Sequence, residues 1–552
     1  MLGLAVLAVC APWWNIPRDQ ADSAGMLAHL HAYFVDGDLL YDNEYARLGM
    51  SPLFAFVTDE GVVSNHWPAG AAWLQLPGYA LGLLAARVLA ALQVGSSSPL
   101  GVVVVLSVRA WACLVGVVVV WRVGLMAARA ASGDRDREST VGIGVGVAVA
   151  SIFAFGTPLA YYIAEAPLRP HLWGAAVTLA LVHVWAHPEI AAGRPYVRTL
   201  LMALLVGLAA TVRPQLAPLA LLVVADAAGG ADRLADRLPR VAFAVAVTGV
   251  WPLVHLRTQL WIYGAGLGDY AGEVTVHLRH FLLSPHHGLL AWCPVVAVGL
   301  FAVVRAAVRR ERGGLLIAGL LAHQLWLDAG MRPIAIESVL GTRTWAGGTG
   351  FAARKIVDVL PLMLPAVASL IAAGRGQRWS RPLLGVCGVL CLPTLALHAA
   401  AFVSPDATTG ALIGSFAALR AVMALPLSAD AWTSAFAART LPLAVPAVIS
   451  VAVTLPLAVA ALRTRQGLRA APTDRRGTLT VDLSVGALLL GAVAAHLWLS
   501  VLQVRSDAAL LEAPERMRQA DAVLAPRHRA TVAQIPRHHA AMRAALGDDA
   551  AP

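Results

Sequence analysis

Between Asp19 and Glu44 the chain places Asp19, Asp22, Asp36, Asp38 and Glu44 among His29, His31, Tyr33 and Tyr41. Carboxylates at this density suit two kinds of chemistry: a general base that takes a proton from a hydroxyl, and hard oxygen ligands for a cation. Asp36-Gly37-Asp38 has the spacing of a DxD pair for Mg²⁺ or Mn²⁺, and equally that of a tight turn. A solvated acidic loop has the same composition.

Farther along, Asn65-His66-Trp67-Pro68 leads into Gly70, with aromatic and imidazole groups suited to an interfacial belt or to a substrate contact. Glu165 and His171 bracket the turn Ala166-Pro167-Leu168-Arg169-Pro170, and Arg213-Pro214 marks another helix junction. Ser284-Pro285-His286-His287-Gly288 follows, and then the Gly-rich stretch from Trp345 to Lys355. Its glycines let a backbone approach a phosphate closely, and Arg354 and Lys355 supply charge-assisted contacts. A Gly-rich loop with its cations at the headgroup level is the plainer reading.

The elements that must position these residues are membrane helices. Of 552 residues 58% are hydrophobic and only 13% charged, and apolar stretches of about 18 or more recur along the chain. The net charge of +10 is scattered through short loops, not gathered on one basic face, so a nucleic-acid partner is not expected. Cys10, Cys113, Cys293, Cys387 and Cys391 all lie in apolar segments without metal-ligand spacing. The stretch Met1 to Trp14 reads as a first anchor.

Loop charge orders the spans. Arg129–Arg137, Arg194–Arg198, Arg233–Arg240, Arg305–Arg312, Arg375–Arg381 and Arg463–Arg476 are basic and are expected on the cytoplasmic side. The loop Asn15 to Gly70 carries eight acidic residues against Arg18 and Arg47, and belongs on the other side. If Ala71 to Leu92 crossed, the basic loop at Arg129 would fall outside, so this segment reads as a re-entrant or juxtamembrane helix. The expectation is an all-α polytopic protein of about 12 to 13 spans. The spans fall near 1–14, 100–127, 141–163, 171–187, 198–212, 215–229, 241–262, 289–306, 313–330, 358–374, 382–403, 439–462 and 479–502. Three regions follow: a core at 1–375 with the outer loop 15–70, C-terminal helices at 376–503, and an outer-side tail at 504–552. All the motifs above then share the non-cytoplasmic face.

In that order the motifs resemble the GT-C superfamily of polytopic, lipid-phosphate-sugar-dependent glycosyltransferases, whose members include protein O-mannosyltransferases and aminoarabinose transferases. The carriers of the resemblance are Asp22-Ser23, Asp36-Gly37-Asp38, Asn43-Glu44-Tyr45 and His66-Trp67-Pro68-x-Gly70 with Pro77 and Tyr79. Gly156-Thr157-Pro158 with Tyr161 and Tyr162, His171, Arg213-Pro214, Ser284-Pro285-x-x-Gly288 and Trp345 to Arg354 follow. It covers roughly residues 1 to 375. Ser23 stands where the family usually has a second acidic residue, and Ala352-Ala353 where it usually has glycine before Arg354.

The resemblance implies a GT-C-like fold and a hexosyltransferase-type enzyme that moves a sugar from a polyprenyl-phosphate donor with inversion. Asp22 would be the general base. From the residues themselves, Glu165 is a second catalytic candidate, an acidic group that its turn lays beside the first loop, with helix capping or an interfacial position as the plainer reading. Asp36, Asp38, Glu44, His66, His171, Arg213, His286, His287, Trp345, Arg354 and Lys355 would bind substrate, and Asp36 with Asp38 would hold Mg²⁺ or Mn²⁺ if a metal is used. The acceptor is a protein, a lipid or a cell-wall glycan, and membrane lipids are partners. A bacterial inner membrane of the cell envelope, with the site facing the periplasm or exterior, fits the Arg-for-Lys bias, Lys355 being the one lysine. The alternatives are a polytopic transporter or flippase, which uses midplane ionisable groups and broken helices, and a non-catalytic protein with the same fold.

Overall fold

Proline and glycine divide the long apolar stretches into helices. The computed structural model describes residues 21–37, 41–48, 56–57, 63–65, 67–93, 98, 100–132, 140–191, 193–229, 234–263, 276, 278–285, 287–330, 351–374, 380–404, 416–431 and 434. The expected spans at 1–14, 439–462 and 479–502 and the tail at 504–552 lie outside the described residues.

In chain order, α1 (Ala21–His31) runs into a π turn at Ala32–Asp36 and is followed by α2 (Asp42–Arg47). A two-residue antiparallel pair, β1 (Phe56–Val57) with β2 (Val63–Ser64), precedes α3 (Gly70–Ala91). Then come α4 (Val102–Ser132), α5 (Thr140–Phe155), α6 (Leu159–Ala164), α7 (Pro170–Ala186) and α8 (Pro195–Val212). A 3₁₀ segment at Pro214–Leu219 leads into α9 (Ala220–Gly229), and α10 (Leu234–Tyr263) follows. The short α11 (Leu278–Leu283) and α12 (Leu289–Trp292) precede α13 (Val296–Val308) and α14 (Gly314–Gly330). A 3₁₀ segment at Arg354–Met363 continues into α15 (Leu364–Ala373), before α16 (Ser380–Val403) and α17 (Phe416–Ala424).

The fold is all-α apart from that one small strand pair among the described residues. Five helical segments are long and apolar enough to cross a membrane: Gly70–Ala91, Val103–Ala131, Pro195–Val212, Arg354–Ala373 and Pro382–Val403. Others, among them Gly142–Phe155, Val296–Val308 and Gly314–Gly330, are shorter and equally apolar. Together they make a multi-pass membrane protein, in which each helix satisfies its own backbone groups.

Prolines explain where expected spans are interrupted. The span at 141–163 breaks after Phe155, because Pro158 cannot supply the amide that would continue α5, and the span at 289–306 breaks at Cys293-Pro294. The segment expected as an outer loop contains, among its described residues, α1, α2 and the strand pair.

Among the described residues, arginines of several of the expected basic loops meet at one end of the bundle. Arg198 at the start of α8 donates from Nε to Asp226 near the end of α9 at 2.9 Å, and caps the carbonyls of Val184, Trp185 and His187. Arg312 also reaches Asp226, at 3.9 Å, and Arg305 pairs with Glu311 at 3.0 Å. Gly313, with φ near +70°, lies against the Trp185 ring. Arg129 of α4 is at the same end, within electrostatic reach of His183 and Glu189.

Helix α4, with 31 residues, is about 46 Å long and so overshoots a bilayer core of about 30 Å. Its C-terminal half packs on α5 through Gly124 and Gly146, and Arg109 donates to the Glu165 carbonyl at 3.2 Å. Its N-terminal part is antiparallel to α3: Trp111 donates to the Leu74 carbonyl at 2.9 Å, Gly78 lies on Ser107 and Val108, and Gly82 lies on Val104. Helix α3 thus starts at the level of the Glu165 turn and runs away from the basic end.

Candidate active site

At the end opposite the basic loops, segments from distant parts of the chain meet. Asp22 occupies the first turn of α1, where the helix dipole favours an anion. Its Oδ1 accepts the Trp67 indole N–H at 3.0 Å, and its Oδ2 pairs with Arg354 Nη1 at 3.0 Å. Trp67 is itself held by neighbours: its amide donates to Asn65 Oδ1, whose Nδ2 donates to the Gly25 carbonyl at 2.7 Å, and His29 Nε2 donates to the Trp67 carbonyl at 2.6 Å. Tyr41 donates to the other ring nitrogen of His29 at 2.9 Å.

Gly25, one turn from Asp22 on the same face, is where the Trp67 ring crosses α1, and a Cβ there would overlap the indole. Gly25→Ala therefore displaces the Trp67 donor from Asp22. It is expected to lower turnover by about 10²-fold, the scale of a 1 Å misplacement, in a transfer assay on purified protein; wild-type turnover would show that Trp67 does not position Asp22.

Burial pushes the Asp22 carboxyl up, but the guanidinium groups of Arg354 and Arg169, the Trp67 hydrogen bond and Arg213 together outweigh it and hold the group at about 2. Asp22 is thus a carboxylate throughout the neutral range.

Arg169 and Arg213 come from one local rule. Each precedes a proline that starts a helix, and each is extended, with φ/ψ of −68°/152° and −151°/115°, because the proline ring excludes the helical conformation one residue earlier. Arg213 Nη1 donates to His171 Nδ1 at 2.6 Å and pairs with Asp358 Oδ2 at 2.8 Å. A guanidinium only donates, so His171 accepts at Nδ1 and is neutral. Asp358 is fully buried, and its approach requires Gly174, where a Cβ would lie 2.6 Å from Asp358 Oδ1. Asp328 of α14, also fully buried, accepts from Gln324 at 2.8 Å and lies within electrostatic reach of Lys355 and Arg213.

Aromatic rings wall the cluster. Tyr162 lies 4.8 Å from the His171 ring and donates to the Phe351 carbonyl at 3.1 Å. Phe351 stacks on Tyr161 and on His398 and meets Trp292 edge-on. His398 Nε2 donates to the Thr157 carbonyl at 2.9 Å. Beyond Thr157 lies an apolar cavity of about 100 Å³, lined by residues that include Phe153, Val295, Met363, Leu383 and Cys387.

The sequence-expected residues divide as follows. Asp22, His171, Arg213, Arg354 and Lys355 come together around this cluster. Glu165 instead ends α6 beside Arg109, which bonds its carbonyl. His287 is buried with its ring edge-on to Trp292, in a turn where Gly288 leaves no room for a Cβ over Ser284. His66, His286, Trp345 and Asp38 lie outside the described residues. The Asp36/Asp38 metal pair is therefore described only through Asp36, whose near neighbours are Asn43, which donates to it at 2.6 Å, His31 and Glu44. His31 Nδ1 is 2.7 Å from Glu44 Oε1 and 3.0 Å from Asp36 Oδ2. Nine residues of helix, about 13 Å of rise, separate His31 from Asp22.

Trp67, Arg169, Asp328 and Asp358 were not singled out as site residues from the sequence. Asp328 and Asp358 carried a usable signal, an ionisable group within or at the end of an apolar span. Arg169 carried another, the repeated Arg-Pro that it shares with Arg213.

No family model matches the sequence, and no curated protein matches it. Two solved structures of ArnT from Cupriavidus metallidurans are similar to the chain. The one bound to undecaprenyl phosphate is 16% identical, with a TM-score of 0.43, over 91% of this chain and 76% of that one. The one in the apo state is 14% identical, with the same TM-score, over 91% and 75%.

Proposed function

We propose that the chain is a membrane glycosyltransferase that moves a sugar from a polyprenyl-phosphate donor to an acceptor hydroxyl on the non-cytoplasmic face, with inversion. The observation that carries this reading is the Asp22–Arg354 pair set among Arg169, Arg213 and Lys355, at the bundle end away from the basic loops. Four cations there face the three carboxylates Asp22, Asp328 and Asp358, an excess that suits a phosphate. The apolar cavity beyond Thr157 suits an isoprenoid chain, and the motif order from Asp22 to Arg354 supports the same family of chemistry.

The acceptor oxygen attacks the anomeric carbon, the bond from that carbon to the phosphate oxygen breaks, and the lipid phosphate leaves with the electron pair. Arg354, with Arg213 or Lys355, stabilises the charge that develops on the phosphate. Asp22 takes the acceptor proton. While paired with Arg354 it is a weak base; a donor phosphate that draws Arg354 to itself removes the cation that most depresses Asp22, so basicity returns when donor is bound. The positive-inside distribution of the loops supports a position for this end at the periplasm or exterior of a bacterial inner membrane.

The test is sugar transfer from a panel of radiolabelled polyprenyl-phosphate sugars by the purified protein, with protein, lipid and glycan acceptors. Turnover of one donor is the expected result. Donor movement across a vesicle membrane without bond cleavage would instead establish a flippase.

A further inference from the structure

We propose that His31, Asp36 and Glu44 form a site for one first-row divalent cation, with Zn²⁺ the best fit, which fastens the π turn after α1 to α2. Three ligand atoms, one from each residue, lie within 4.8 Å of one another. His31 Nδ1 is already 2.7 and 3.0 Å from the two carboxylate oxygens. Bonds of about 2.0 to 2.2 Å place ligand atoms roughly 3.0 to 3.5 Å apart, so a cation needs only a few tenths of an ångström of expansion. An imidazole nitrogen with two carboxylates favours Zn²⁺ over Mn²⁺, and both over Mg²⁺.

Two further observations point into the same spot. Glu44 is fully buried, and its Oε2 has no hydrogen-bond partner. The Tyr79 hydroxyl of α3 is also fully buried without a partner, within electrostatic reach of Asp36 and Glu44. Buried polar atoms are seldom left unpaired, and a ligated cation with its water would satisfy both. Asp36, a quarter exposed, leaves a way in. Gly37, at φ +72°, lets the chain turn after Asp36.

Asn43 Nδ2 donates to Asp36 Oδ2 at 2.6 Å, which leaves that carboxylate oxygen a second lone pair for a cation. A contact of Arg47 belongs to the cation-free state. Arg47 Nη1 donates to His31 Nε2 at 3.2 Å, so the proton sits on Nδ1, directed at the carboxylates. A cation on Nδ1 moves that proton to Nε2 and displaces Arg47, which is exposed and free to swing away. The site lies about 13 Å along α1 from Asp22, so it acts on the shape of the outer segment and not on the reacting bond.

The test titrates Zn²⁺, Mn²⁺ and Mg²⁺ into chelator-treated, full-length protein in detergent, by calorimetry and by thermal unfolding. One Zn²⁺ per chain is expected to raise the unfolding midpoint, with weaker Mn²⁺ and no competition from Mg²⁺. His31→Gln and Glu44→Gln are expected to weaken this binding at least tenfold, and Arg47→Met to tighten it. Asp36→Asn, at a partly exposed position, keeps the test valid if the buried variants fail to fold, and is expected to weaken binding likewise. Wild-type Zn²⁺ affinity in Asp36→Asn, or no Zn²⁺-dependent change in midpoint, would overturn the site, whatever the outcome of the transfer assay.

Discussion

Asp22→Asn is expected to lower sugar transfer by about 10²- to 10⁴-fold, the share of the rate that a positioned general base supplies, while donor binding is kept or strengthened. The side chain keeps its shape and can still accept the Trp67 indole N–H at one oxygen. At the other position an amide NH₂ now faces the Arg354 guanidinium in place of a carboxylate, so Arg354 is released toward the donor phosphate. A variant that merely unfolded would lose donor binding as well, so measuring both quantities separates the two outcomes. Turnover within a factor of a few of wild type would remove Asp22 from the chemistry.

The pH dependence follows the same pair. With its carboxyl held at about 2 in the folded protein and near 3.9 in an unfolded chain, Asp22 contributes stability that is fully present above about 4. That stability is lost as pH falls through about 2. Between pH 5 and 9 the wild type and Asp22→Asn should therefore show parallel thermal midpoints. A crossing in that window would mean that Arg354 does not hold Asp22 as described.

The second large effect is on stability. Asp358→Ala leaves the guanidinium of Arg213, only 12% exposed, without its buried counter-ion. Breaking a buried pair from one side costs about 3 to 5 kcal/mol, whereas replacing both partners with apolar groups is often close to neutral. Asp358→Leu combined with Arg213→Met is therefore expected to recover most of the midpoint lost in Asp358→Ala, measured by thermal unfolding in detergent. The double variant should remain inactive, because Arg213 also contacts His171 and belongs to the group of cations proposed to hold the donor phosphate. A double variant as unstable as the single would show that the pair is not the source of the loss.

Local rules made much of the architecture legible. The apolar run lengths mark the spans, and the arginine loops mark one end: the contacts of Arg198, Arg305 and Arg312 do gather at a single end of the bundle. Loop charge made Ala71–Leu92 a re-entrant or juxtamembrane helix; the structure shows a helix there, α3, long and apolar enough to cross, that runs antiparallel to the N-terminal part of α4. The Arg-Pro junctions likewise follow from sterics between neighbouring residues.

Contacts between distant residues were not legible in this way. Asp22 and Arg354 are separated by 332 positions, and Asp22 and Trp67 by 45; no periodicity or spacing encodes such a meeting, which depends on how α1 lies across the helix ends. Glu165 and Arg169 share one short turn, yet the first has its backbone carbonyl bonded by Arg109 and the second lies among the site cations. Asp358 begins an apolar segment and reads there as a boundary, and only the close approach allowed by Gly174 makes it the counter-ion of Arg213. The chain by itself determined where apolar helices run and that basic loops and polar motifs lie at opposite ends of them, because these depend on local sterics and on the cost of charge in hydrocarbon. Which carboxylate meets which guanidinium was decided only by tertiary packing, because that depends on backbone approaches between segments far apart in sequence.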